Sequence, residues 1–280
     1  MSGGDSGLAL ASRYLALRWR IRAPGTICGV EAAVYAPPVA APRAVQLRLT
    51  GLSVVIPCHN ERDNVAAAVA AARSAAERFA LHYEIVVVDD GSTDGTGAIA
   101  GMLERASGEV RVVTHERNRG YGAAVRSGIR SATMPWILLT DGDLQFDLSE
   151  LEGFVRRAAE ADLVVGRRAS RADPFGRRAA AAMWNALVRI LFRLPVRDVD
   201  CAFKLMRSSL VQELDLTADG AMVSTELLAR ALASGAAVVE LDVTHLPRLA
   251  GEQSGGSTRV IARALRELVV VGRSLKVAPQ

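Results

Sequence analysis

ILLTDGDLQFD, residues 137–147, is an apolar run that stops abruptly at two carboxylates separated by one glycine. An unpaired buried carboxylate is costly, so a strand that ends this way delivers its acids into a cleft where a cation meets them. Outward from this stretch, from Leu52 onward, short apolar runs alternate with Ala-rich segments of helical period. That alternation is the pattern of parallel strands joined by crossover helices, an α/β sheet. The strands expected are LSVVIP (52–57), EIVVVD (84–89), VRVVTH (110–115), WILLT (136–140) and LVVG (163–166).

Ligands of such sheets sit beyond the carboxyl ends of the strands. The segments at those ends therefore form the expected site: PCHNE (57–61), DDGSTDGT (89–96), HERNRGYG (115–122), DGDLQ (141–145) and GRR (166–168). Farther on the texture changes to a helix around 179–192, the segment DVDCAFKLMR, a helix STELLARALASG and a strand VVELDVTHL. A Gly/Ser loop, GEQSGGS, precedes VIARALRELVVVGRSLKV, in which Val260, Ile261, Leu265, Leu268 and Val269 share roughly one helical face among arginines.

At 280 residues, half hydrophobic and 23% charged, the chain can bury a sizeable core as one main domain with appendages, and wholesale disorder is excluded. The net charge of +4 resides in residues 1–50, which carry six arginines, no lysine and two acids. The body is formally neutral, which gives no support to nucleic-acid binding. Residues 1–50 read as a poorly ordered basic leader, residues 51–256 as the catalytic domain and 257–280 as an amphipathic helix. Cys28, Cys58 and Cys201 lack any CxxC spacing, which argues against a disulfide framework or zinc ribbon and fits a reducing compartment. No run reaches the ~20 apolar residues that span a bilayer.

In DGDLQ, Asp141, Asp143 and Gln145 stand at alternate positions, which in extended backbone point the same way. Three oxygen ligands suit Mg²⁺ or Mn²⁺, with the phosphates of a substrate completing the shell. Two plainer readings compete: acids capping a helix that starts near Leu148, and a calcium loop. The second fails because Phe146 occupies the sixth position, where the sharp turn needs glycine. DDGSTDGT is either turn chemistry or a place for a base imide or ribose hydroxyl. NRGYGAAVRSG is either a helix N-terminus that takes phosphate or a tight turn. Arg168, Arg177, Arg178 and Arg248 are either a solvated face or forked donors to phosphate. The four histidines show no metal-ligand spacing.

Taken together and in order, VVIPCHNE, VVVDDGSTDGT, NRGYGAAVRSGI and LLTDGDLQFD resemble glycosyltransferase family 2, most closely its dolichyl-phosphate mannose synthase-like, polyprenyl-phosphate branch. The resemblance covers about residues 53–256 and implies a GT-A fold, a Rossmann-like, mostly parallel sheet flanked by helices. It extends to VVGRR, DVDCAFK and PRLAGEQS. It implies that Pro57, His59 and Glu61 border the nucleotide and that Asp89 or Asp90 lies near base and ribose. Asp141, Gly142, Asp143 and Gln145 would form the metal motif, and Gly120 the phosphate-facing helix start. Arg168, one of Arg177 and Arg178, Lys204 and Arg248 would contact the diphosphate and the acceptor phosphate. Two departures bear on acceptor recognition: Ala202 stands where the family has glycine, and the last loop has one extra residue and no lysine.

The activity so implied is inverting transfer of one sugar from a GDP- or UDP-sugar to a polyprenyl phosphate, assisted by Mg²⁺ or Mn²⁺. Such an acceptor, with a second pKa near ~6, is largely dianionic at neutral pH and needs no strong base; Glu226 is the candidate acid nearby, with a helix-surface glutamate as the plainer reading. The enzyme is expected in the cytoplasm, peripheral at the inner face of the membrane, with the final helix in that interface; a homo-oligomer is compatible. The rival readings are a family 2 enzyme with a soluble or saccharide acceptor, a nucleotidyltransferase and a non-catalytic nucleotide-binding protein.

Overall fold

The computed structural model describes residues 48–169, 175–248 and 258–277. All of these residues lie within the compact unit Ala44–Gln280. The expected leader, residues 1–50, lies outside them except at its end, where Leu49 is buried in the core and bridges Ala80 and Arg48 bonds to the Glu77 carbonyl.

Seven strands form one sheet: β1 Leu52–Cys58, β2 Tyr83–Asp89, β3 Val110–Thr114, β4 Trp136–Leu139, β5 Leu163–Arg168, β6 Lys204–Arg207 and β7 Val238–Val243. Their order across the sheet is β3-β2-β1-β4-β6-β5-β7. β1 pairs parallel with β2 and with β4, β2 with β3, and β5 with β7, while β6 runs antiparallel between β4 and β5. The helices are α1 Val65–Phe79, α2 Thr96–Ala106, α3 Tyr121–Ser131, α4 Leu151–Arg157, α5 Phe175–Phe192, α6 Ser208–Val211, α7 Val223–Ala233 and α8 Thr258–Val277.

Successive strand residues face opposite sides, so the continuous apolar runs build two cores. Val54, Ile56, Ile85, Val87, Leu138 and Val164 pack with α1 and α4, through Val65, Val69, Ala72, Phe79 and Phe154. Val55, Val86, Val88, Ile137 and Leu139 pack with α3 and α7, through Val125, Ile129, Leu227 and Leu228. Alanine and glycine let the helices approach closely: a Cβ on Gly128 of α3 would collide with Val55 Cγ1. The inner face of α8 joins the second core through Ala264, Leu268, Val271 and Leu275. Leu265 and Val269 are instead about half exposed, so the face expected from sequence is split between core and solvent.

β6 is the strand the apolar pattern does not reveal, because a lysine and an arginine bracket its two apolar residues. Lys204 lies between Leu139 of β4 and Val165 of β5 and is fully buried. Strand order reverses between β1 and β4, from which the chain runs toward opposite edges of the sheet. That switch point opens the crevice in which open α/β sheets bind ligands.

Candidate active site

The first wall of the crevice is a pair of interlocked loops after β1 and β2. Asn60, whose φ of 56° suits the left-handed tolerance of asparagine, accepts from Thr93 N at 2.9 Å, and its own N–H reaches Ser92 Oγ at 2.9 Å. Glu61 N donates to Thr96 Oγ1 at 2.9 Å, and His59 Nδ1 donates to the Asp90 carbonyl at 2.9 Å. Asp89 accepts from Ser92 N at 3.0 Å. Its other oxygen lies so near Gly97 that a Cβ there would collide with it.

Asp90 organises rather than presents. Its carboxylate accepts from His115 Nδ1 at 2.6 Å, Arg119 N at 2.9 Å and Gly120 N at 2.8 Å. His115 in turn contacts Ser127 Oγ at 2.9 Å through Nε2. The N–H of Gly120 is thus turned onto Asp90, and its φ of 109° requires glycine. Tyr121, the next residue, extends its hydroxyl to Asp141.

Asp141 and Asp143 follow β4 directly beneath β1. Gly142 between them is packed so tightly that a Cβ would sit 2.8 Å from Cys58 Sγ. Burial, then the charge of Asp143, pushes the Asp141 carboxyl up to about 7, against the pull of Tyr121, Arg168 and Lys204. Asp141 Oδ1 is buried with no hydrogen-bond partner. Burial also raises Asp143, and Glu61 adds to it, while Gln145 N and Arg248 oppose the rise. The Cys58 thiol is pushed far above its ordinary range by burial and then by Glu61, so it is no nucleophile.

Gln145 departs from expectation. Leu144 has φ 60°, so the segment turns after Asp143 and alternate residues no longer point together. The Gln145 amide instead donates to the Leu246 carbonyl at 3.0 Å, and Leu246 N returns a bond to Gln145 O at 2.8 Å. With the Phe146–His245 bridge, this ties the chain after β7 to the acidic loop. Arg248 is thereby brought into the crevice, 2.5 Å from Glu61 Oε1 and 3.4 Å from Asp143 Oδ2. Asp147 caps the turn beyond by accepting from Ser149 N at 2.9 Å.

On the far wall, Arg168 at the end of β5 grips Asp198 through Nε and Nη2, both at 2.7 Å. Burial pulls the Arg168 pKa down, but the bonds and charge of Asp198 more than offset it, and the guanidinium stays charged. Lys204 is not a rim residue: its buried ammonium donates to the carbonyls of Val199 (3.2 Å) and Cys201 and to Ser224 Oγ (3.4 Å). Burial lowers its pKa. It acts on the site only as a charge near Asp141. Glu226 is not on a helix surface either. It is fully buried and accepts from Thr217 N (2.8 Å), Thr217 Oγ1 (2.9 Å), Ala218 N (2.8 Å) and Arg230 Nε (3.0 Å). Arg177 and Arg178 lie in the opening of α5, where the side chains are outside the described residues.

Sequence alone does not mark Tyr121 or Asp198. Tyr121 follows the glycine of NRGYG, and Asp198 opens DVDCAFK; only the fold sets them against Asp141 and Arg168. Among the described residues no three His, Cys, Asp or Glu side chains converge as a full metal shell. Two carboxylates, one with an orphaned buried oxygen, nevertheless fit a hard divalent cation that takes its remaining ligands from phosphate and water.

An α/β crevice with paired acids at the switch point and Arg168 on the opposite wall is built to hold a divalent cation and a phosphorylated substrate. Residues 53–215 match the model of glycosyl transferase family 2. The chain belongs to that family. It is 34% identical over 213 residues to an uncharacterized glycosyltransferase of Mycobacterium tuberculosis, covering 74% of this chain and 91% of that protein. It is 31% identical over 224 residues to the dodecaprenyl-phosphate galacturonate synthase of Rhizobium johnstonii, covering 79% of this chain and 66% of that one. Among solved structures, glucosyl-3-phosphoglycerate synthase of Mycobacterium tuberculosis, in complex with Mn²⁺, uridine diphosphate and phosphoglyceric acid, superposes with TM-score 0.62 at 20% identity, covering 82% and 80% of the two chains. Mannosyl-3-phosphoglycerate synthase of Rubrobacter xylanophilus gives TM-score 0.61 at 19% identity, over 83% and 76%.

Proposed function

We propose that this glycosyltransferase moves one sugar, with inversion, from a nucleoside diphosphate sugar to a polyprenyl phosphate at the cytoplasmic face of a membrane, supplying lipid-linked sugar for envelope assembly. The observation that carries the metal-dependent donor half is the buried, unpartnered Asp141 Oδ1 beside Asp143 at the switch point. These two carboxylates would hold Mg²⁺ or Mn²⁺. An ion held there would supply positive charge against the departing diphosphate. Tyr121 orients Asp141, and Arg248, already among the acids, offers a forked donor to phosphate. The relatives crystallised with uridine diphosphate and Mn²⁺ favour a UDP-sugar over a GDP-sugar.

Engagement of Asp198 and Glu226 on the far wall supports an acceptor that is already anionic. Asp198 is held by Arg168, and Glu226 by four donors, so neither is free to take a proton from a hydroxyl. A dianionic phosphate needs no such base. The 31% identical galacturonate synthase, named for its dodecaprenyl phosphate, supports the lipid form. A second reading keeps the donor site and takes a soluble phosphorylated acceptor. The structural neighbours named for 3-phosphoglycerate favour it.

Donor turnover measured with a short-chain polyprenyl phosphate, with 3-phosphoglycerate and with simple sugars decides between them. Rapid inverting transfer to the lipid phosphate alone is expected; turnover only with a soluble acceptor overturns the proposal. A thermal-shift panel of UDP- and GDP-sugars with and without Mn²⁺ identifies the donor, because a ligand of the folded state raises its stability.

A further inference from the structure

The best helical spacing of exposed apolar residues lies on α5, outside the crevice. Met183, Leu187, Ile190 and Leu191 are 73%, 40%, 77% and 55% exposed. Offsets of four, seven and eight residues place them on one stripe. The opposite side of α5 is fixed: Val188 is fully buried, and Asn185 accepts from Val199 N at 2.9 Å. Val199 adjoins Asp198, the partner of Arg168. The inner side of α5 therefore braces the far wall of the crevice while its outer side offers apolar surface to its surroundings.

Charge decides what that surface fits. α5 contains no acidic residue, and the arginines along and just beyond it are Arg177, Arg178, Arg189, Arg193 and Arg197. Arg193 and Arg197 are exposed near its C-terminal end. A helix with an apolar stripe, arginine flanks and no carboxylate matches a negatively charged lipid surface. A self-complementary contact with a second copy would bring these like charges together across the two-fold. No described helix is long and apolar enough to cross a membrane, so the contact is a surface one.

We infer that the outward stripe of α5, Met183, Leu187, Ile190 and Leu191, docks on an anionic bilayer and holds the far wall of the crevice against the membrane plane. The inference rests on the polyprenyl-phosphate reading only for its purpose, since the docking needs no acceptor.

The test is co-sedimentation of the full chain with vesicles containing phosphatidylglycerol, against phosphatidylcholine alone, with no polyprenyl phosphate in either. Wild type is expected to bind the anionic vesicles and to release with salt. Met183→Glu with Ile190→Glu is expected to lower the partition about tenfold or more. Both side chains are exposed, so its unfolding profile should match wild type. Transfer to a short-chain acceptor in detergent should stay at the wild-type rate, which separates failure of docking from failure of the functional reading. Equal sedimentation of variant and wild type, or no binding by wild type, overturns the inference. So does loss of binding with Leu265→Glu and Val269→Glu on α8 while the α5 pair is silent. Conversion of a wild-type dimer to monomer by the α5 pair, with vesicle binding intact, also overturns it and assigns the stripe to a second copy.

Discussion

Glu226→Gln separates a carboxylate that builds the fold from one that reacts. Glu226 Oε2 accepts from two backbone N–H groups, of Thr217 and Ala218, and Oε1 from the Thr217 hydroxyl and Arg230. An amide in the same place either turns its NH₂ onto the two backbone N–H donors or, flipped, gives it to the Thr217 hydroxyl while still facing Arg230, so a donor meets a donor either way. A hydrogen bond to a charged group is worth roughly 1.5–3 kcal/mol, and a buried donor left unpaired costs a similar amount. The glutamine variant is therefore expected to lose about 2 kcal/mol, and Glu226→Ala, which strands Arg230 as well, about 3–5 kcal/mol. For a domain of this size each kcal/mol shifts the midpoint by about 2–4 °C. Scanning calorimetry should show Tm falling by about 4–8 °C for glutamine. Sugar transfer assayed well below that midpoint should stay within a few-fold of wild type. A glutamine variant that melts like wild type yet has lost turnover would return Glu226 to the reaction and refute the structural role.

Three further outcomes are expected at the acidic loop. Because the Asp141 carboxyl is raised from 3.8 to about 7, the unfolded chain releases its proton first. That group thus favours the fold at low pH and loses its contribution as pH climbs through this window. Asp141→Asn should therefore gain stability relative to the metal-free wild type over that range, and Mn²⁺ affinity of the wild type by calorimetry should weaken as pH falls below about 7. Tyr121→Phe removes the hydroxyl that holds Asp141 ionised; Mn²⁺ binding at neutral pH should weaken, with little change at alkaline pH. Gly142→Ala places a Cβ 2.8 Å from Cys58 Sγ, which should cost about 1–3 kcal/mol by overpacking. Cys58→Ala should recover much of that loss, a coupling that a double-mutant cycle in urea would read.

The parallel half of the sheet is legible because strands buried on both faces are continuous apolar runs, as in residues 52–57 and 84–89, and their polar ends point to the crevice. β6 is not, since Lys204 is tolerated inside only by the carbonyls of Val199 and Cys201, which the fold brings to it. Asp141 and Asp143 show in their spacing. Gln145 misleads because one left-handed residue, Leu144, breaks the extended period on which spacing depends. Glu226 reads as an ordinary helix glutamate until the 217–218 backbone closes over it. The commitment of Asp90 to the His115–Gly120 loop likewise depends on contacts 25 to 30 residues away in sequence.

Arg248 gives the donor site a resident counter-ion. With its guanidinium bridging Glu61 and Asp143, it offsets part of the repulsion among the acids before substrate arrives. On the proposed function, donor loading would be a swap of partners, the arginine exchanging a carboxylate for phosphate. Because its stretch of chain is laced to Gln145 and Phe146, the arginine and the acidic loop are positioned as one piece.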